Sequence, residues 1–313
     1  MNKKKEIKIM NNFFILIPNF NDWVSLNKLL FHLNKAVQGI KGKFKVIVVN
    51  DCSTEKINLK TKNLKNIKNI KILNLKKNIG SQKAIFIGLK YIQKINYKSI
   101  ITILDSDGED NPFKLKKLIN LALKKKKFIV VADRSKRMEN IFLRFLNYLR
   151  LIGTFFLTGK YINFGNFSAF YSTNLKKIFL NNNLWFAYSA GILKNCKKIE
   201  RVSIEKKKRY YGASKVNLTF LLNHSLKIIC VFQKEIFVRS FFAVILIMLI
   251  FKNLVLDIKL IVLFLILNIS VYAYYQINNL NFDALKLIKN KKNIKTNNIY
   301  NSVVKNYRRN NLI

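Results

Sequence analysis

Ile101-Thr102-Ile103-Leu104-Asp105-Ser106-Asp107-Gly108-Glu109-Asp110-Asn111-Pro112 decides how this chain is read. Strand-forming residues run into two carboxylates spaced i, i+2, followed by a glycine, two more acids and a proline. The chain carries 15 Asp and Glu against 58 Lys and Arg, and four of those acids fall within positions 105–110. Crowding scarce negative charge into one strand end points to a charged ligand rather than a solvated face. Hard divalent cations prefer carboxylate oxygens, and Mg²⁺ characteristically takes one or two carboxylates plus substrate phosphates. An Asp-x-Asp at a strand end is therefore a candidate seat for a metal–diphosphate.

Outward from this stretch, strands alternate with helices. Residues 13–17 are an apolar run stopped by Pro18, and residues 24–36 carry Leu26, Leu29, Leu30 and Leu33 at helical spacing. Further strands are predicted at 44–49, 70–75, 100–104 and 128–132. A helix is predicted from Asn78-Ile79-Gly80-Ser81 through Tyr91, and a short polar helix within the Lys/Asn-rich residues 55–70. The alternation predicts an α/β domain with a mainly parallel sheet. The notable polar residues fall just past strand ends, where open α/β sheets bind ligands.

The 313 residues are half hydrophobic, enough for one large domain or two ordinary ones. A net charge of +43 suits an anionic membrane surface or nucleic acid. It also fits a Lys-, Asn- and Ile-rich composition of the kind AT-rich codons produce. Nucleic acid is set aside, because it gives no reason for the acidic cluster. Cys52, Cys196 and Cys230 lack metal-ligand spacing, which fits a reducing compartment without a zinc site. The N-terminal residues lack the apolar core of a signal peptide.

Past residue 215 the character changes. Residues 216–236 read as an amphipathic juxtamembrane segment, with His224 as a solvated or capping residue near its polar side. Two apolar runs within 237–276 are each close to the ~20 residues that cross a bilayer, and they predict a transmembrane hairpin. The competing reading is a pair of helices buried in a soluble core. Lys and Arg crowd both flanks, so both read as cytoplasmic, with 277–313 as a basic tail and the catalytic domain at the inner membrane.

The motifs stand in an order that resembles glycosyltransferase family 2, with its GT-A fold. Ile17-Pro18-Asn19-Phe20-Asn21-Asp22 is similar to V-P-x-Y-N-E, and Val49-Asn50-Asp51-Cys52-Ser53 to V-D-D-G-S. Asn78 through Gly88 is similar to N-x-G-x-x-x-A-x-x-x-G, and the acidic stretch to D-A-D-L-Q-D-P-P. Gly165-Asn166-Phe167 resembles G-D-F, and residues 209–215 resemble R-x-x-G-x-S-K. The likeness covers residues 12–217. With the apolar C-terminal runs, it is nearest to the polyprenyl-phosphate (dolichyl- or undecaprenyl-phosphate) glycosyltransferases. Asn50, Cys52, Asn166 and Glu109 depart from the family pattern.

The resemblance implies a GT-A nucleotide-sugar-binding domain over 1–215 and a hexosyltransferase-type activity. It implies that Pro18, Asn21, Asn50, Asp51, Gly80 and Asp105 hold the nucleotide-sugar. Asp107 would hold Mg²⁺ or Mn²⁺, with Asp105, Asp107 and Arg134 catalytic. Arg134, Arg137, Arg209 and Lys215 would hold the phosphate of a polyprenyl phosphate acceptor. Asp51 also reads as a helix N-cap, Gly80 as a turn glycine, and residues 133–137 as a solvated charge run. No Asp or Glu lies between Glu139 and Glu200, where relatives that glycosylate a hydroxyl usually keep a base. A lipid phosphate is already anionic and needs none. The expectation is inverting transfer to polyprenyl phosphate at the cytoplasmic membrane face. Transfer to a hydroxyl of a lipid-linked or envelope glycan is the alternative, with Glu109, Asp110, Glu200 or Glu205 as base. A homo-oligomer is compatible with either reading.

Overall fold

The computed structural model describes residues 12–95, 98–134, 141–212, 218–251, 254–279 and 283–296. Arg137, Lys215 and the end of the predicted basic tail lie outside them. Among the described residues the strands are β1 (Asn12–Asn19), β2 (Lys43–Asn50), β3 (Ile67–Leu75), β4 (Ser99–Ile103), β5 (Ile129–Arg134), β6 (Phe164–Tyr171), β7 (Ile199–Ile204) and β8 (Ile288–Lys295). The helices are α1 (Trp23–Ala36), α2 (Ser81–Lys94), α3 (Leu115–Lys124), α4 (Ile141–Thr158), α5 (Leu175–Ile178), α6 (Asn183–Phe186), α7 (Tyr188–Asn195), α8 (Leu218–Val231), α9 (Gln233–Phe251) and α10 (Leu254–Asn278).

The strands form one sheet in the order β7-β5-β6-β4-β1-β2-β3-β8. β3, β2, β1 and β4 run parallel, β6 is inserted antiparallel between β4 and β5, and β8 is antiparallel on β3. The apolar runs of the parallel strands are buried on both faces. Phe14 and Leu16 enter one core with α2 and α7, and Phe13, Ile15 and Ile17 enter the other with α1 and α3. The strand order reverses at β1, flanked by β2 and β4. Asn19 is level with Asn50, and Leu16 with Ile103. The segments leaving β1, β2 and β4 therefore open side by side at the carboxyl edge.

Helix α2 follows the Asn78-Ile79-Gly80 turn and lies close to the sheet because of Gly88. A Cβ there would come within 2.3 Å of Leu16 Cδ1 and 3.0 Å of Val49 Cγ2. The final glycine of the N-x-G-x-x-x-A-x-x-x-G pattern is thus a packing residue that sets the height of the α2 N-terminus over the site.

Three expectations change. No helix forms across 55–66. Asn27 and Asn34, two turns apart on α1, hold that stretch as an irregular strap. Asn27 bonds Asn58 O and Lys60 N, each at 2.8 Å, and Asn34 Oδ1 accepts from Asn66 N at 2.8 Å. These side-chain bonds compete with the backbone pairing a helix would need. The segment 277–313 is not only a tail, because Ile288–Lys295 completes the catalytic sheet through β3. The sequence reading puts Lys252, Asn253, Asp257 and Lys259 in the link between the two apolar runs, whereas α9 ends at Phe251 and α10 begins at Leu254, so Asp257 and Lys259 lie in the first turns of α10.

Among the described residues one helix is long and apolar enough to cross a membrane, Val255–Asn278, with none of it buried. α9 packs along it through Phe237 and Phe241 against Phe264, and Asn268 Nδ2 donates to Ser240 Oγ at 3.2 Å.

Replacing Gly88 with valine forces methyl groups into Leu16 and Val49. The expected loss is about 1–3 kcal/mol, the scale of overpacking in a filled core, read as a lowered thermal midpoint of the detergent-solubilised chain. An unchanged midpoint would show that α2 can lift off β1 freely.

Candidate active site

The three carboxyl-edge segments and the turn before α2 enclose a cavity of about 480 Å³. Pro18, Asp51, Gly80, Asp105, Asp107, Arg134 and Arg209 all line it. The structure therefore brings together seven residues that the sequence singled out from six separate segments. Asn21 and Asn50 are not among its lining residues. Asn21, with φ of 46°, spends its side chain on the neighbouring turn, bonding Thr54 N at 2.9 Å and Thr54 Oγ1 at 2.9 Å. Asn50 Nδ2 donates to Asn74 Oδ1, and Asn50 Oδ1 accepts from Ser53 N. Both asparagines shape the loops that frame the site rather than its surface.

Asp51 is buried, and its two oxygens accept the amides of Ile79 (2.9 Å) and Gly80 (2.8 Å). It ties the end of β2 to the N-terminus of α2, close to the capping alternative. Burial pushes its pKa up, and these two amides oppose the shift. Gly80 has φ of 88°, a backbone conformation that L side chains rarely adopt.

The acidic loop after β4 folds tightly. Asp105 receives the Asn166 amide at 2.9 and 3.2 Å. Gln82 Nε2 donates to Asn166 Oδ1 at 3.2 Å, and Tyr188 N donates to Gln82 Oε1 at 2.7 Å. Asn166 stands where the G-D-F pattern has a carboxylate. An amide there donates to Asp105, whereas a carboxylate would repel it. Asp110 turns inward and accepts the Asp105 amide at 3.2 Å. Asp107 Oδ1 accepts from Glu109 N at 3.0 Å. Burial, then the Asp105 charge, push Asp107 up to about 7 and Asp110 to about 8, and burial raises Asp105.

The cavity also holds a cationic cluster. Arg134, at the end of β5, lies against Gly165, where a Cβ would fall 2.4 Å from its Nη2. Asn147 and Arg150 reach the cavity from α4, and His224 and Lys227 from α8. The sequence reading gave none of these four a role. The polar pairs at i, i+3 in two mainly apolar helices were the available signal. His224 was read as solvated or capping. Instead burial, then Arg150, Arg134 and Lys227, push its pKa down to about 3, so its imidazole is neutral.

Arg209 does not belong to the cationic cluster. Its Nη1 lies 3.2 Å from Asp107 Oδ2 and its Nη2 2.9 Å from Asp22 Oδ2. Of the residues expected to hold the acceptor phosphate, Arg134 lines the cavity and Arg209 is paired on the acidic loop.

The family model described as "Glycosyl transferase family 2" matches residues 14–193. The chain belongs to glycosyltransferase family 2. The match runs from β1 into α7 and holds every acidic residue of the cavity. No curated protein matches the sequence. Among solved structures, glucosyl-3-phosphoglycerate synthase from Mycobacterium tuberculosis with Mn²⁺, UDP-glucose and phosphoglyceric acid is 13% identical. It covers 72% of this chain and 80% of its own, with a TM-score of 0.51. S. aureus TarS 1–349 with UDP is 18% identical, covering 72% and 65%, with a TM-score of 0.42. The chain spans 39% of a longer TarS structure. At 13% identity the likeness to the synthase shows the GT-A fold.

The family's divalent cation suits the hard carboxylate donors here. No group of three or more His, Cys, Asp or Glu among the described residues is arranged to hold a metal ion. A cation at Asp107 would therefore complete its shell with substrate oxygens and water, the usual habit of Mg²⁺.

The raised carboxyl groups give a pH signature. The folded loop binds protons that the unfolded chain, with ordinary carboxyl pKa values near 3.8, has released. The metal-free protein should therefore lose stability as pH climbs from about 4 towards 8. Thermal midpoints between pH 5.5 and 8.5 should fall, and fall less in Asp110→Asn. A variant that tracks the parent at every pH would remove the loop as the cause.

Proposed function

We propose that this family 2 enzyme transfers a sugar, with inversion, from a nucleotide-sugar to polyprenyl phosphate at the cytoplasmic face of a membrane. The observation that carries this reading is a cluster of cations in the cavity that also holds the acidic loop, two of them supplied by helices that expose apolar side chains. Arg134, Arg150 and Lys227 gather around His224. α4 and α8, which supply Arg150 and Lys227, expose Phe145, Tyr148, Phe156, Leu222 and Leu226. A phosphate at these cations would have its hydrocarbon chain beside an apolar surface that leads into α9 and α10.

The chemistry follows from the acidic loop and the cationic cluster. An oxygen of the acceptor phosphate attacks the anomeric carbon from the face opposite the leaving group. The bond from that carbon to the nucleoside diphosphate oxygen breaks as the new one forms, and the diphosphate leaves with its electrons. A divalent cation bound at Asp107 supplies Lewis-acid stabilisation of the leaving group. Arg134 orients the acceptor through a planar fork matched to phosphate. Neutral His224 adds no charge of its own and leaves the guanidinium groups to the ligand. UDP is the first nucleotide to try, since both solved relatives carry it.

The alternative acceptor, a hydroxyl, needs a base. Of the four carboxylates that could serve, Glu109 alone lines the cavity, on the acidic loop beside Lys206, and Glu200 is paired with Lys125 at 2.7 Å. Asp110 and Glu205 line a smaller neighbouring pocket. Asn166, in the place of the family carboxylate, has no lone pair basic enough to take a proton. These positions favour the phosphate acceptor.

The pairing of β8, which comes after α10, with β3 supports a topology in which both ends of the α9–α10 pair lie on the side of the catalytic domain and α9 crosses together with α10. The 19 residues of α9 rise about 28 Å, near the hydrocarbon thickness.

Membranes containing the protein, incubated with radiolabelled UDP-sugars and undecaprenyl phosphate, should deliver label to the organic phase. Label confined to glycan or water-soluble product would overturn the acceptor. Arg150→Ala should raise the apparent KM for the lipid about tenfold to a hundredfold, the scale of a charge-assisted contact, and leave UDP affinity unchanged. A reporter fused after Ile313 should be cytoplasmic; a periplasmic or lumenal signal would reject the hairpin.

A further inference from the structure

The segment 206–210, which follows β7, lies along the acidic loop as a strap. Lys207 N donates to Glu109 O at 2.8 Å, and Tyr210 N to Asp107 O at 2.9 Å. Lys206 pairs with Glu109, and Arg209 pairs with Asp107 and Asp22. The far end is anchored away from the cavity, where Tyr210 Oη meets His32 Nδ1 at 2.7 Å. Gly108, with φ of 83°, makes room for this, since a Cβ would sit 2.2 Å from the Tyr210 ring. Two backbone bonds and one side-chain bond thus fix the strap without using any loop carboxylate. The two ion-paired side chains are separate from that anchoring.

We propose that Lys206 and Arg209 bind the nucleotide diphosphate and are parked on the metal loop until it arrives. Parked, they bring two positive charges to the loop, the same charge as the divalent cation. A cation arriving alone meets a loop on which two of the four carboxylates are already paired, with a guanidinium 3.2 Å from the Asp107 oxygen it needs, and two like charges drawn to one carboxylate repel. A cation arriving with a diphosphate brings phosphate oxygens to which both side chains can turn. Their stems are held by the strap, so only the side chains need to move. The loop therefore discriminates against bare metal and accepts the metal–nucleotide, and the same two cations then stabilise the leaving diphosphate.

This inference rests on Asp107 as the ligand of the cation, and the experiment separates the two. Mn²⁺ binding to the full-length protein in detergent is followed by the loss of the free-ion paramagnetic resonance signal. UDP affinity is measured by calorimetry at saturating Mn²⁺. Arg209→Gln should bind Mn²⁺ alone about tenfold more tightly, and UDP about tenfold more weakly, the scale of one charged contact exchanged. Lys206→Gln, which leaves both Arg209 pairs in place, should show both changes in the same directions to a smaller extent. It reads the idea even if Arg209→Gln does not fold. Unchanged or weaker Mn²⁺ affinity in a folded variant overturns the competition, and unchanged UDP affinity overturns the diphosphate role. Asp107→Asn is the control: if it binds Mn²⁺ as the parent does, the metal reading itself fails, whatever the strap variants do.

Discussion

Four carboxyl groups within six residues, at the end of a buried strand, are the constraint around which this molecule is arranged. Left alone, they repel one another in a place where water screens them poorly. The fold answers each in a different way. Asp105 faces the amide of Asn166, Asp110 turns back onto a backbone N–H, Glu109 takes Lys206, and Asp107 takes Arg209. Two of these answers are amides and two are cationic side chains. The amides hold the loop's shape. The ion pairs of Asp107 and Glu109 are the contacts that the proposed exchange would use.

The sheet explains why so many separated segments reach one loop. Its strand order reverses at β1, so the ends of β1, β2 and β4 part there and leave a crevice. Asp51 closes one side by holding the α2 N-terminus, and Gly88 lets α2 settle low enough for that bond to form. Antiparallel β6 then carries Asn166 up to Asp105 and Gly165 up to Arg134. The same strand therefore meets both the acidic loop and the cationic cluster of the cavity.

Much of the domain was legible in the sequence because parallel strands buried on both faces are continuous apolar runs, and their polar ends are abrupt. The acidic loop, Asp51, Gly80 and Arg134 were found for that reason. The site residues missed lie where no such contrast exists. Arg150 and Asn147 stand in an apolar helix, and Lys227 and His224 in another, so local sequence shows two polar residues on a greasy face. Their meaning appears once α4 and α8 pack together over the cavity. Residues 55–66 failed for a different reason: their conformation is dictated by Asn27 and Asn34, up to thirty-odd positions away.

Composition, apolar periodicity and motif order determined the α/β class, the membership of family 2 and the place of the charged strand end, because each depends on contacts a few residues apart. The partners of each charge were decided only by tertiary structure. A sequence containing 58 Lys and Arg cannot say which of them meets Asp107. That choice fell to Arg209, 102 residues away, through a strap pinned by Tyr210 to His32 on α1. In the same way, the tail's basic composition resembled a solvated segment, and only pairing with β3 made Ile288–Lys295 a strand. Local physics sets which elements form, while the meeting of distant charges depends on how the chain closes on itself.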